Sequence, residues 1–161
     1  MKNIKYLLLI VTSLFLLNSC SNDSDEQNCP ENEIATMKIN GEEKQFVVSG
    51  WGINLDNDGT GHTLDIQLTV GVFSPQQDSY SITLKMPYKK VGNNIIEEIN
   101  YLRVEGTTAI EGDFLQSELQ SKVTVNKNTC ISATFSGTAI LEGNEVTISD
   151  GNLQHIYAEP F

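Results

Sequence analysis

Basic residues are scarce in this chain. Ten lysines and arginines face 21 acids, for a formal charge of −11 over 161 residues. Such a surface repels phosphate backbones and anionic lipid, which argues against nucleic acid as a partner. Histidine is scarcer still. The only two, His62 and His155, sit in neither an H-x-H nor an H-E-x-x-H context. A zinc or histidine-based catalytic centre would need both drawn together with a carboxylate or a thiolate. No Gly-x-Ser-x-Gly elbow is present, and Ser136-Gly137 falls within a strand pattern rather than at a strand-to-helix turn. Glu97 and Glu98 point in different directions in strand or helix, so they make a poor acid/base pair. Phosphate-cradling glycine loops and the βαβ rhythm of nucleotide-binding folds are absent too. The chain reads as a non-enzyme, and a hydrolase ranks last among its function classes.

Long apolar runs are also lacking. The longest, Tyr6 to Leu17, is broken only by Thr12 and Ser13. It falls short of the ~20 residues a spanning helix requires. Lys2 and Lys5 precede it, and Leu17-Asn18-Ser19-Cys20 closes it. A positive start, a short apolar run and a small residue before a cysteine have the anatomy of a cleaved signal. The segment resembles a bacterial lipoprotein signal ending in a lipobox, with Asn18 a less usual occupant. That resemblance implies removal of residues 1–19 and a covalent lipid on Cys20. Several acyl chains at ~0.8 kcal/mol per buried methylene give an essentially permanent anchor. Cleavage takes away two lysines and no acid, so the charge falls from −11 to −13.

Cysteine is rare: Cys20, Cys29 and Cys130. With Cys20 lipidated, one pair remains in an exported chain, and Cys29–Cys130 is expected to be a disulfide rather than two free thiols. Residues 20–33 form the lipidated cysteine and an acidic, aperiodic tether with a relaxed span of roughly 20 Å. Asp23, Asp25 and Glu26 directly after the cysteine resemble the acidic export signal of Bacteroidota lipoproteins carried to the outer face of the outer membrane. A merely solubilising linker is the alternative, with the periplasmic face as location.

Residues 34–161 are read as a single β-domain. Ile34–Ile39 alternates weakly, Asn40-Gly41 is a hairpin turn, and Glu42–Val48 returns as a strand. Ser49-Gly50-Trp51-Gly52 is read as a kink. Leu64, Ile66, Leu68 and Val70 share one face of a strand over His62–Val70, and Tyr80, Ile82, Leu84 and Met86 share one face of the next. Pro87 ends that strand or places it at an edge. In 88–120, Ile95, Ile96, Ile99 and Leu102 suit helical spacing, which predicts a short helix or irregular turn, then a strand, with a long loop carrying a partial strand over 104–118. Strands are expected at Ser121–Val125 and Cys130–Leu141. Glu142-Gly143-Asn144 is a turn, Glu145–Ser149 a strand, Asp150-Gly151 a second hairpin turn and Leu153–Ala158 the last strand. The fold class is therefore all-β, an antiparallel β-sandwich of about eight or nine strands, with a flattened β-barrel as the alternative.

Four stretches carry a wider resemblance: Met37-Lys38-Ile39-Asn40-Gly41, Ile82–Pro87, Thr129–Ala139 and Val146–Leu153. They are similar to those of small uncharacterised Bacteroidota surface lipoproteins. The resemblance implies the β fold and the envelope location, and it carries over no catalytic residue.

Two candidate sites remain. The acidic turn around Asp56 and Asp58 offers oxygens for calcium, although its glycine and the following Gln67 do not fit an EF-hand register. A solvated hairpin loop explains the same residues. Trp51, Tyr80 and Tyr88, with Tyr101, could build a sugar-stacking platform, or they could pack in the core. The expected function is a lipid-anchored outer-membrane lipoprotein facing the cell surface, a non-enzymatic binding or envelope accessory module. Its partner would be a glycan or an envelope protein, or its role purely structural. No cofactor is expected beyond the lipid and the calcium candidate.

Overall fold

The computed structural model describes residues 28–55, 61–70 and 78–158. Cys20 and the Asp56 and Asp58 pair lie outside the described residues. Eleven strands run in order: β1 (Ile34–Ile39), β2 (Glu42–Gln45), β3 (Val47–Leu55), β4 (His62–Val70), β5 (Ser79–Pro87), β6 (Gly92–Asn93), β7 (Glu98–Glu105), β8 (Thr108–Leu115), β9 (Leu119–Asn126), β10 (Cys130–Leu141) and β11 (Asn144–Ile156). Sheet A has the order β2-β1-β11-β10-β9-β6, and sheet B the order β3-β4-β5-β7-β8. Every pairing is antiparallel. Both sheets keep free ends, so the architecture is an antiparallel β-sandwich and not a closed barrel. None of the described helices is long and apolar enough to cross a membrane.

Alternation builds the core as the sequence predicts. Leu64, Ile66 and Leu68 of β4, and Ile82, Leu84 and Met86 of β5, are fully buried, and their alternate neighbours are not. Sheet A supplies Met37, Ile131, Ile148 and Leu153 from the other side. At about 25 cal/mol per Å² of apolar surface, these facing rows are the main stabilising element of the domain.

The turns follow their chemistry. Asn40 and Gly41 (φ 50° and 84°) join β1 to β2, and Glu142 and Gly143 (φ 49° and 82°) join β10 to β11, both as two-residue hairpins with positive φ. The expected strand over Glu42–Val48 instead divides at Phe46. Its ring is buried, its N–H donates to Ala35 O at 2.7 Å, and the chain passes there from sheet A to sheet B. The expected kink around Trp51 lies inside β3, where the ladder to β4 carries a bulge between Val48 and Gly50. Pro87 does end β5, but that strand is central, flanked by β4 and β7, so the edge alternative falls.

Two expectations are corrected. In 88–120 the irregular turn followed by a strand holds and the helix alternative falls, while the long loop expected over 104–118 is instead most of the β7–β8 hairpin. The segment holds the two-residue β6, then a β7–β8 hairpin, then a single 3-10 turn at Gln116–Glu118. Ile95 and Ile96 are buried because long-range bonds hold their loop. Asn94 N donates to Ser121 O at 2.7 Å, Ile96 N to Ser121 Oγ at 3.1 Å, and Glu97 N to Lys85 O at 2.9 Å. The second correction concerns Asp150-Gly151, which is a bulge within one long β11 and not a hairpin turn. Phe135 faces Gly151 and Gly137 faces Ile148, so Ser149 and Asp150 together oppose Ser136. Asp150 takes the left-handed conformation (φ 52°) that such a bulge requires. Gly151 is needed beside it, since a Cβ there would lie 2.6 Å from the Phe135 ring.

Candidate functional site

The disulfide is formed as expected. Cys29 and Cys130 are bridged across a separation of 101 residues, with Cα atoms 5.7 Å apart. Cys130 is fully buried at the start of β10, so the bridge fixes the segment ahead of β1 to sheet A.

The three aromatic candidates occupy separate structural roles. Trp51 is half-buried, packs against the core from edge strand β3, and stacks on Tyr157 at 4.8 Å between centroids. Tyr80 is buried, edge-on to Phe46 and Tyr101, with Lys44 Nζ and Arg103 Cζ over its ring at 5.4 and 5.9 Å. Tyr101 is buried too, and burial pushes its phenol up to about 12. Tyr88 is half-buried beneath Lys89 Nζ, 5.1 Å from its centroid. Trp51 and Tyr80 thus spend their faces on protein neighbours. His62 opens β4 and His155 lies near the end of β11 in the other sheet. His155 Nδ1 is 2.9 Å from Glu33 Oε1, yet outside hydrogen-bond geometry. Among the described residues, no group of three His, Cys, Asp or Glu side chains could hold a metal ion.

The two outer faces differ in how their polar side chains are used. On sheet B the side chains bond one another. Asn54 donates to Asp65 at 2.6 Å, Gln67 to Ser81 at 3.2 Å, and Asn100 to both Glu98 and Asp113 at 2.6 Å. Lys85 bonds Glu98 at 2.5 Å, which lowers the Glu98 carboxyl below its ordinary range and raises the Lys85 ammonium.

Sheet A also holds bonded pairs, Thr138 with Thr147 at 3.0 Å among them, but beside them it carries an open row. Its register sets one row of side chains straight across all six strands: Asn93, Lys122, Thr134, Asn152, Thr36 and Gln45. None of the six makes a side-chain hydrogen bond among the described residues, so their donors and acceptors face solvent. The next row runs Gln120, Ser136, the Ser149–Asp150 bulge, Lys38 and Glu43. Here Lys38 Nζ lies 2.8 Å from Asp150 Oδ2, which raises the lysine above its ordinary value. The rows flank a depression of about 890 Å³ that reaches from Asn93 to Asn152, with a smaller one of about 240 Å³ continuing it over Thr36, Lys38 and Glu43. Asp150 and Asn152 line both. A bulge increases local twist and bends its strand, and this one lies in the middle of the trough.

No family model, curated protein or solved structure matches this chain.

The trough is therefore read from its own chemistry. It offers amides, hydroxyls, one ammonium without a partner among the described residues, and one neutralised ion pair. It has no nucleophile–base pair. Sequence reasoning missed it because its rows depend on β1 pairing with β11 and on β6 pairing with β9, contacts that no local pattern announces. The available signal was partial: Thr134, Ser136 and Thr138 alternate against Ala133, Phe135 and Ala139 in β10.

Proposed function

We propose that this chain is a lipid-anchored, non-enzymatic binding module of the bacterial outer membrane, facing the cell surface, whose working face is the outer side of sheet A. One observation carries the reading: on sheet B most outward polar groups bond one another, with Asp65 Oδ1 left over, while sheet A carries a row of six in register with no side-chain hydrogen bond among the described residues. Polar groups left without protein partners are available to a ligand at the cost only of displaced water. The lipobox at Leu17–Cys20 and the acidic residues behind it support the location, and the disulfide suits an oxidising compartment. Calcium at Asp56 and Asp58 is not required by this reading.

Two measurements test it. Cys20→Ala should move the protein from the detergent phase to the aqueous phase of a phase separation, and a variant that stays with the detergent refutes the anchor. Hydroxyl-radical footprinting of intact cells should show Thr134 and Asn152 protected relative to the purified protein, with Gln67 and Thr83 of sheet B unchanged. Equal protection of the two faces, or none, refutes the assignment of the working face.

A further inference from the structure

Resting on the binding-module reading, we infer that the trough across sheet A is a binding site for an extended, neutral oligosaccharide laid perpendicular to the strands. Length comes first. Six strands at ~4.8 Å spacing give a row of roughly 24 Å, long enough for several sugar units. Chemistry comes second. Asn93, Asn152 and Gln45 each supply both donors and acceptors, and Thr134 and Thr36 supply hydroxyls that do either. A sugar hydroxyl also donates and accepts, so a row of amides and hydroxyls matches a chain of them without fixing one charge sign.

Charge decides against an anionic polymer. The row's only ion is Lys122, Asp150 neutralises Lys38, and Glu43 lies at the trough's end in a molecule of net charge −11. Apolar content decides against a protein partner. Protein interfaces are anchored by buried aromatic and aliphatic side chains. None of the exposed large hydrophobics (Val47, Leu55, Val91, Leu115, Ile140, Ile156) lines either depression, and Phe135 beneath it is buried. With no aromatic face on offer, affinity rests on hydrogen bonds alone. Binding is then weak per unit and grows with chain length.

The test is native affinity electrophoresis of the full lipoprotein in a detergent without a sugar headgroup. Gels would contain neutral polysaccharides (dextran, mannan, xylan, mixed-linkage glucan) or anionic ones (alginate, polygalacturonate). The expected result is retardation in at least one neutral gel, lost for the most part in Asn152→Ala and in Thr134→Asp, and kept in Gln67→Ala on sheet B. Each variant's thermal midpoint shows that it is folded, as exposed positions normally allow. Absence of retardation in every neutral gel overturns the inference, as does retardation confined to the anionic gels. So does retardation that Asn152→Ala and Thr134→Asp both leave intact. Protection of sheet A on cells combined with no retardation removes the glycan assignment while leaving the binding-module reading standing.

Discussion

Asn126 ends β9 and is only 4% exposed. Its Nδ2 donates to Pro87 O at 3.0 Å and Lys90 O at 3.1 Å, and its Oδ1 accepts from Lys89 N at 3.1 Å. One side chain thereby closes the turn after β5, in which Lys89 takes a left-handed conformation (φ 62°). The turn leads directly to β6, whose Asn93 begins the polar row of sheet A. Asn126→Asp keeps the shape but replaces two donors with a carboxylate aimed at two carbonyl oxygens. A buried charge set against acceptors costs on the order of 2–4 kcal/mol. The substitution is therefore expected to lower the urea midpoint at pH 7. The deficit should narrow on acidification, because a protonated carboxyl can donate one of the lost bonds. Coincident midpoints for the two proteins would show that the asparagine holds nothing in place. Nothing in the sequence marks this residue, since Asn126-Lys127-Asn128 reads only as a polar turn.

Elements were legible where their signal was local. β4 and β5 show their alternation directly, and Asn40-Gly41 and Glu142-Gly143 state their turns in residue type. Illegibility began where long-range pairing chose between local options. Ile95, Ile96, Ile99 and Leu102 have helical spacing, yet Ile96 and Asn94 are held by Ser121 on β9, and Ile99 and Leu102 pair with β8. Asp150-Gly151 satisfies positive φ equally well in a hairpin or in a bulge. Only simultaneous pairing of β11 with β1 and β10 selects the bulge. That choice makes a prediction at the element scale. Ser149 and Asp150 both face outward, so deleting Asp150 restores plain alternation and leaves Leu153 and Gly151 on the core face. Deleting Thr134 from β10, whose own side chains alternate from Ile131 to Leu141, instead turns half of that strand inside out, because a one-residue slip exchanges the faces. The Asp150 deletion should fold, with its disulfide intact and a thermal midpoint within a few degrees of the parent. The Thr134 deletion should not fold. Similar midpoints for the two deletions would remove the account of the bulge as an inserted residue. If the bulge curves the trough, the Asp150 deletion should also lose polysaccharide retardation while staying folded.

At the scale of the whole molecule, the chain combines strong self-repulsion with a covalent tie. A charge of −11 disfavours compactness, and the core must offset it. The Cys29–Cys130 bridge encloses β1 to β9 and leaves β10 and β11 outside its loop. In the chain-entropy picture a loop of that length stabilises by on the order of 4–5 kcal/mol, acting through the unfolded state. This origin separates it from any contact in the native fold. Cys29→Ser breaks the bridge at its half-buried end and leaves buried Cys130 in place, so no cavity opens in the core. The variant is expected to unfold at a markedly lower urea concentration. Its m-value should rise, because a chain freed of the cross-link exposes more surface on unfolding. A lowered midpoint with an unchanged m-value would move the stabilisation into the native packing around Cys29 and Thr129. An unchanged midpoint would mean that the bridge serves only to set where the segment ahead of β1 meets the sandwich. Because the bridge joins Cys29 to the strand carrying Thr134 and Ser136, it also fixes where the segment ahead of β1 lies relative to the trough. On the proposed reading of a lipid anchor at Cys20, breaking the bridge should therefore change how that face is presented to the surroundings, and the footprint on intact cells reads that change directly.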